Sequence, residues 1–202
     1  MDQIQRVNPA AVKMHNVSKE LGIPNINRQQ ATSLDLFDSL PVSGAQTEYV
    51  FFREASTRVF PFTNLGSTGN KLNVGEGMMI QAIYFSQMLK DDTPGSEDWE
   101  INVLNGSSIQ AYLTGDITLQ IGNMTRIKNI RIATFESVFN KFAKTNQSIF
   151  ILDNPLFLPQ LVEFELRLRV PQFAFANPDA VTTYVQCTMS GFAGILNLKK
   201  NI

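Results

Sequence analysis

The stretch Glu163-Phe164-Glu165-Leu166-Arg167-Leu168-Arg169-Val170 alternates polar and apolar residues over eight positions. Successive side chains of a strand point to opposite faces. The pattern therefore puts Phe164, Leu166, Leu168 and Val170 on one face and two glutamates and two arginines on the other. A strand with one dry and one wet face belongs to an antiparallel sheet that covers a core on one side.

Similar strands flank this segment. Residues 181–189 alternate again, and Gly191-Phe192-Ala193-Gly194 breaks the pattern before a last strand at 195–198. Ile149-Phe150-Ile151-Leu152 is a short apolar strand upstream. Residues 99–104, 108–113, 117–121 and 126–132 read as a four-stranded antiparallel meander, with Asn105-Gly106 as a tight hairpin turn. The long apolar run 78–89 fits a strand buried on most of both faces, and Asn70 ends a Gly-Ser-Thr turn before it. Tyr49-Val50-Phe51-Phe52 and Val59-Phe60-Pro61-Phe62 add two more strands, with Pro61 marking an edge or bulge. Thr134 caps one short inserted helix bearing Phe135, Val138 or Phe139, and Phe142 on one face, with Lys141 and Lys144 near its negative end. Eight to ten short strands without βα alternation or internal repeat predict an all-β chain with a single β-sandwich.

Residues 1–47 differ from the rest, being poor in aromatics and rich in Gln, Asn and Ser. Asn8 and Pro9 start a helix, and Gly22 and Pro24 stop it. Its apolar stripe is Ala10, Met14, Val17 and Leu21. A helix this short needs a surface to dock on. Residues 24–46 read as an extended arm with one helical turn at 34–40. The expected organisation is a helix and arm over 1–47 and a sandwich over 48–202. Met14, Val17, Leu21, Leu34 and Phe37 are the candidate subunit contacts.

Seventeen basic and eighteen acidic residues give a net charge of −1, so no global field steers the chain to nucleic acid or anionic lipid. Charged residues make up 17%, below the usual quarter, which suits faces covered by neighbours or a neutral polar surface. The lone Cys187 has no intrachain disulfide partner and reads as a small buried hydrophobe. No leader pattern and no apolar run of membrane-spanning length is present, so neither standard secretion nor a membrane span is expected.

Catalytic machinery is hard to assemble from these residues. The only histidine, His15, falls in the arm and Cys187 in a core strand, so a Cys–His pair is not expected. The usual zinc ligand set is missing. Asp91, Asp92, Glu97 and Asp98 surround Pro94-Gly95 in a loop that offers oxygen ligands to calcium, though without EF-hand spacing; a solvated loop is the plainer reading. Glu163 and Glu165 stand about 7 Å apart on one strand face, a separation used by glycosidases. Arg167 and Arg169 share that face and favour ion pairing instead. Gly75-Glu76-Gly77 lacks the third glycine, the lysine and the helix of a phosphate loop. Arg126, Lys128 and Arg131 form a modest basic patch, suited at most to non-specific nucleic-acid contact or to guarding a strand edge. No cofactor is expected, and the chain reads as non-catalytic.

Three stretches carry a family resemblance: Arg58-Val59-Phe60-Pro61-Phe62-Thr63-Asn64-Leu65, the run from Asn70 to Met88, and the closing pattern from Glu163 to Leu198. With the polar arm before them, their layout over about residues 48–198 resembles bacteriophage virion structural proteins of the jelly-roll capsid class. The resemblance implies an eight-stranded sandwich whose loops and arm contact other subunits. It also implies a homo-oligomer that meets other virion proteins, made in the host cytoplasm and located in the virion. The length leaves room for one jelly roll, as in a shell, vertex or accessory protein. A β-sandwich module for a glycan or other surface ligand is the alternative, disfavoured by a single tryptophan, Trp99, and four tyrosines. A metal-dependent enzyme is a distant third.

Overall fold

The computed structural model describes residues 29–43, 45–53, 55–65, 69–93, 99–103, 114–140, 145–172 and 181–196. These form ten strands: β1 (Gln29–Pro41), β2 (Glu48–Phe51), β3 (Glu76–Asp91), β4 (Trp99–Val103), β5 (Asp116–Ile121), β6 (Met124–Arg131), β7 (Glu136–Asn140), β8 (Thr145–Leu158), β9 (Phe164–Arg169) and β10 (Val181–Leu196). One sheet has the order β1-β10-β3-β8-β7, with β4 also paired to β3; the other has the order β2-β9-β5-β6. Every ladder is antiparallel. The pairings are nested: β5 with β6 innermost, then β3 with β8, β2 with β9, and β1 with β10 outermost. Alternate pairs fall in opposite sheets.

Both sheets contribute to one core. Phe164, Leu166 and Leu168 of β9 are buried while Glu165 and Arg167 face outward, as the alternation predicts. Facing them from the larger sheet are Ile80, Ile83 and Phe85 of β3 and Val185, Cys187 and Met189 of β10. Phe51 of β2 meets Phe85 across the gap at 5.9 Å between ring centroids. Each such buried ring stabilises the fold by about 1.5–3 kcal/mol of transfer free energy. The strand expected at 78–89 extends to Glu76–Asp91, with Met79, Ser86 and Met88 buried on its second face.

The structure corrects four expectations. Residues 29–41 are neither arm nor helical turn: they are β1, paired to β10 from Gln29↔Leu196 to Pro41↔Tyr184. A boundary between 47 and 48 would separate β1 from its partner strand. Leu34, Phe37 and Leu40 mimic a helical spacing, but the inward row is Leu34, Leu36, Asp38 and Leu40, with a charge at its third position. The inserted helix is also absent. Ile132–Thr134 is a 3-10 turn, closed by the Thr134 hydroxyl donating to the Arg131 carbonyl at 2.7 Å, and β7 follows, paired to β8. Phe135 stacks on Phe150 at 5.3 Å, and the hairpin gives five residues a ladder that two isolated helical turns could not sustain. Residues 59–62 form a turn with a cis Phe60–Pro61 peptide, not a strand. Finally, β4 joins the larger sheet through β3 while β5 is paired on both sides, to β9 and β6, in the smaller one, so the described strands do not form the expected meander; its strand at 108–113 lies outside the described residues. The expected N-terminal helix and the Asn105-Gly106 turn fall outside the described residues.

Candidate functional site

The segment between β2 and β3 begins with a strained residue. Phe52 has φ 71°, a region that costs a bulky side chain on the order of 1–3 kcal/mol. Two contacts hold it there: its amide donates to Asp38 Oδ2 at 2.6 Å, and its ring packs on Phe164 at 5.3 Å. A 3-10 turn over Ala55–Thr57 then delivers Arg58, whose Nε and Nη2 donate to the same carboxylate at 3.0 and 2.6 Å. Asp38 is fully buried. Burial raises its pKa above the usual carboxylate value, and the Arg58 guanidinium and Phe52 amide pull it only part of the way back.

The chain next runs along the outer edge of β1. The Thr63 hydroxyl donates to the Phe37 carbonyl at 3.0 Å, and Asn64 accepts from the Phe37 amide at 2.9 Å while donating to the Asp35 carbonyl at 2.5 Å. Side chains here stand in for a neighbouring strand, which closes that part of the edge. Phe62 packs on Tyr184 of β10 at 4.9 Å. Between the Arg58 and Phe62 anchors, Val59 and Phe60 are 73% and 78% exposed. The turn thus holds two apolar side chains in water at a fixed place.

A second feature is a groove of about 550 Å³ between the β5–β6 turn and the end of β8. Ile121, Met124, Leu156, Phe157 and Val162 line it, with Arg126 on its wall. Met124 is 59% exposed. A smaller pocket of about 200 Å³ is lined by Leu34, Leu36, Leu65, Leu72 and Ala193.

The outer face of the smaller sheet carries a ladder of ion pairs. Glu165 is held by Arg53 at 2.7 Å and by Arg167 at 2.7 Å; Arg167 also meets Glu48 at 3.5 Å. Arg169 takes Asp116 at 2.9 Å, and Lys71 takes Glu163 at 3.1 Å. Glu165 is thus bound by an arginine of its own face, as the sequence suggested, whereas Glu163 takes Lys71 and Arg169 takes Asp116, both from other segments. Burial pushes the Glu165 pKa up, but Arg167 and Arg53 together outweigh it, and the net shift is downward. A lowered carboxylate contributes stability above its ordinary pKa and loses it as pH falls through the folded value. Glu165→Gln should therefore flatten the acid limb of the stability–pH curve by up to about 1 kcal/mol, the scale of an exposed pair. Denaturant titrations between neutral and acid pH would read this, and an unchanged limb would refute it.

Cys187 is fully buried on β10, as expected, and burial with the nearby Asp38 charge pushes its pKa well above the ordinary thiol value. Ellman's reagent should not label the folded chain, and labelling in denaturant should track unfolding. Rapid labelling of native protein would contradict this placement.

The remaining site residues divide plainly. Arg126, Lys128 and Arg131 are exposed on β6, the last strand of its sheet, and none has an acidic partner among the described residues. Leu34 packs on the chain's own core, and Phe37 is half-buried on β1. Asp91 accepts the Thr93 amide at 2.8 Å, while Asp92 accepts the Thr182 hydroxyl and pairs with Lys90 at 3.2 Å. Glu97 and Asp98, like Met14, Val17, Leu21 and His15, lie outside the described residues. Among the described residues, no three of His, Cys, Asp and Glu gather at metal-binding distances, and no helix is long and apolar enough to cross a membrane. The Asp38–Arg58 clasp and the groove escaped sequence reasoning. An acid in an otherwise apolar inward row was the signal for the first, and the second is assembled from segments far apart in the chain. No protein-family model matches this sequence, and no curated protein matches it.

Proposed function

We propose that the chain is a non-catalytic virion structural protein built on a single jelly roll, acting through subunit–subunit contacts. The strand order supports this reading best. Leaving aside the added β4 and β7, the eight remaining strands in chain order fall as 1-8-3-6 in one sheet and 2-7-4-5 in the other. Two Greek keys wrapped together would give this order, the arrangement shared by viral capsid, lectin and cupin jelly rolls. Fold alone does not choose among those roles. The fixed, exposed Val59 and Phe60 and the low charge content favour contacts with protein. The partners in this reading are further copies of the chain and other virion proteins, and the location is the virion. Any contact of Arg126, Lys128 and Arg131 with packaged nucleic acid would be non-specific and salt-dependent.

A ligand- or glycan-binding module is the second reading, favoured by the groove, whose 550 Å³ lies within the ~300–1,000 Å³ of small-molecule sites. Light-scattering chromatography with negative-stain imaging of the same peak separates the two. Rings, trimers, pentamers or shells support the assembly reading. A monomer at every concentration removes self-assembly and moves the groove to first place.

A further inference from the structure

We propose that the Val59–Phe60 tip of one copy seats in the Met124–Phe157 groove of the next, forming a head-to-tail contact. The inference rests on the assembly reading and adds the residues and the symmetry class to it.

Two observations point this way. The tip is held on both sides, by a buried ion pair at Arg58 and by the Phe62–Tyr184 ring contact, and yet carries no polar function. Fixing a segment so firmly costs conformational entropy, and what it presents is a valine and a phenylalanine in water. The groove offers the complementary surface. Its lining is mostly apolar, its volume accommodates both side chains, and the Arg126 guanidinium on its wall lacks an acid among the described residues. An unpaired guanidinium at a groove suits the face of an aromatic ring.

Placement along β3 makes the contact intermolecular. Tyr184, which anchors the tip, lies opposite Met88, near the end of β3. Leu156 and Phe157 of the groove lie opposite Ile80 and Met79, near its start. Eight residues of strand separate the two levels, roughly 26 Å. A tip anchored on both sides does not reach a groove that far away in the same molecule, whereas a second copy brings it there. Tip and groove are different surfaces, so the contact is heterologous and generates a ring if its rotation closes, or a filament if it does not.

Disulfide trapping tests this with the full-length chain. Val59→Cys and Met124→Cys, made in separate copies, keep Phe60 and alter only exposed positions. The native Cys187 is buried and does not compete. Mild oxidation of the mixture should give mixed dimers several-fold above either homodimer, and adding Phe60→Asp to the Val59→Cys copy should abolish them. Circular dichroism checks that each variant keeps its β spectrum. Mixed dimers no more abundant than random pairing of the two copies gives, or indifferent to Phe60→Asp, would overturn the contact. If the wild type still assembles by light scattering in that case, the assembly reading stands and only this interface falls; if it never associates, both fall.

Discussion

Asp38→Ala should cost the fold about 3–5 kcal/mol, the range for removing one partner of a buried ion pair. The loss comes less from the attraction itself than from what is stranded. Arg58 keeps its charge with its side chain only 18% exposed, and the Phe52 amide loses its acceptor while the backbone there stays strained. Asp38→Asn should cost less, because an amide oxygen can still accept from Phe52. Replacing both partners, Asp38→Leu with Arg58→Met, should recover much of the loss. The pH dependence has a definite sign. The folded pKa of Asp38 is raised, so the folded state holds this proton more tightly than the unfolded chain. Its contribution to stability is full below the ordinary value of 3.8 and is lost as pH rises through the folded value. Urea midpoints for the three variants at neutral and acid pH would test the set, and a loss under about 1 kcal/mol for Asp38→Ala would show that the clasp is not structural.

Gly191→Ala is the second large effect. A Cβ at this position would stand 1.9 Å from the Met79 carbonyl oxygen and 3.2 Å from Ile80 Cα, both backbone. No side-chain rotation relieves that clash: β10 must move away from β3 at the point where their register already shifts, between Ser190 and Gly191. Overpacking against side chains costs about 1–3 kcal/mol, and against backbone the upper end or more is expected. For a chain of this length about 3 kcal/mol lowers Tm by roughly 6–12 °C. Gly77→Ala on β3 is the comparison, since the nearest atoms there, at 3.2 and 3.3 Å, belong to the Phe157 ring, a side chain that can shift. Equal melting of the two variants would contradict the close approach.

Much of the fold was legible because period-two alternation reports directly which face of a strand is dry. That signal located β9, β5 and the first half of β10, and the long apolar run located β3. It failed where tertiary context reassigned a segment. Gly191 looked like the end of a strand because it lacks a side chain to alternate, yet β10 runs through it as a bulge. Asp38 broke the apolar row of β1, and an inward charge is intelligible only once Arg58 and the Phe52 amide are seen to meet it. Phe135, Val138 and Phe142 have helical spacing by coincidence; pairing with β8 decided the outcome. The Glu165–Arg167 pair was readable because both charges lie on one strand, whereas Arg53, Glu48, Asp116 and Lys71 join that face from other segments. The tip was quoted but read as a strand, since its exposure depends on anchors elsewhere, and the groove has no local signature.

The nested pairing of the strands also prescribes an order of folding. The β5–β6 hairpin closes over the two residues Gly122 and Asn123, a local event on the microsecond scale. Each further pair must close a longer loop, and the last, Gln29 against Leu196, joins strands from opposite ends of the described chain. Such non-local topologies fold slowly, in milliseconds to seconds. During synthesis β1 emerges long before β10, and at about 5–20 residues per second it waits many seconds for its partner. Throughout that wait the thirteen-residue β1 lacks the strand that will pair along it, and the same is true of any copy beside it on a polysome. The nascent chain is therefore most exposed to mispairing before its final strand is made, and chaperone dependence should concentrate in that interval.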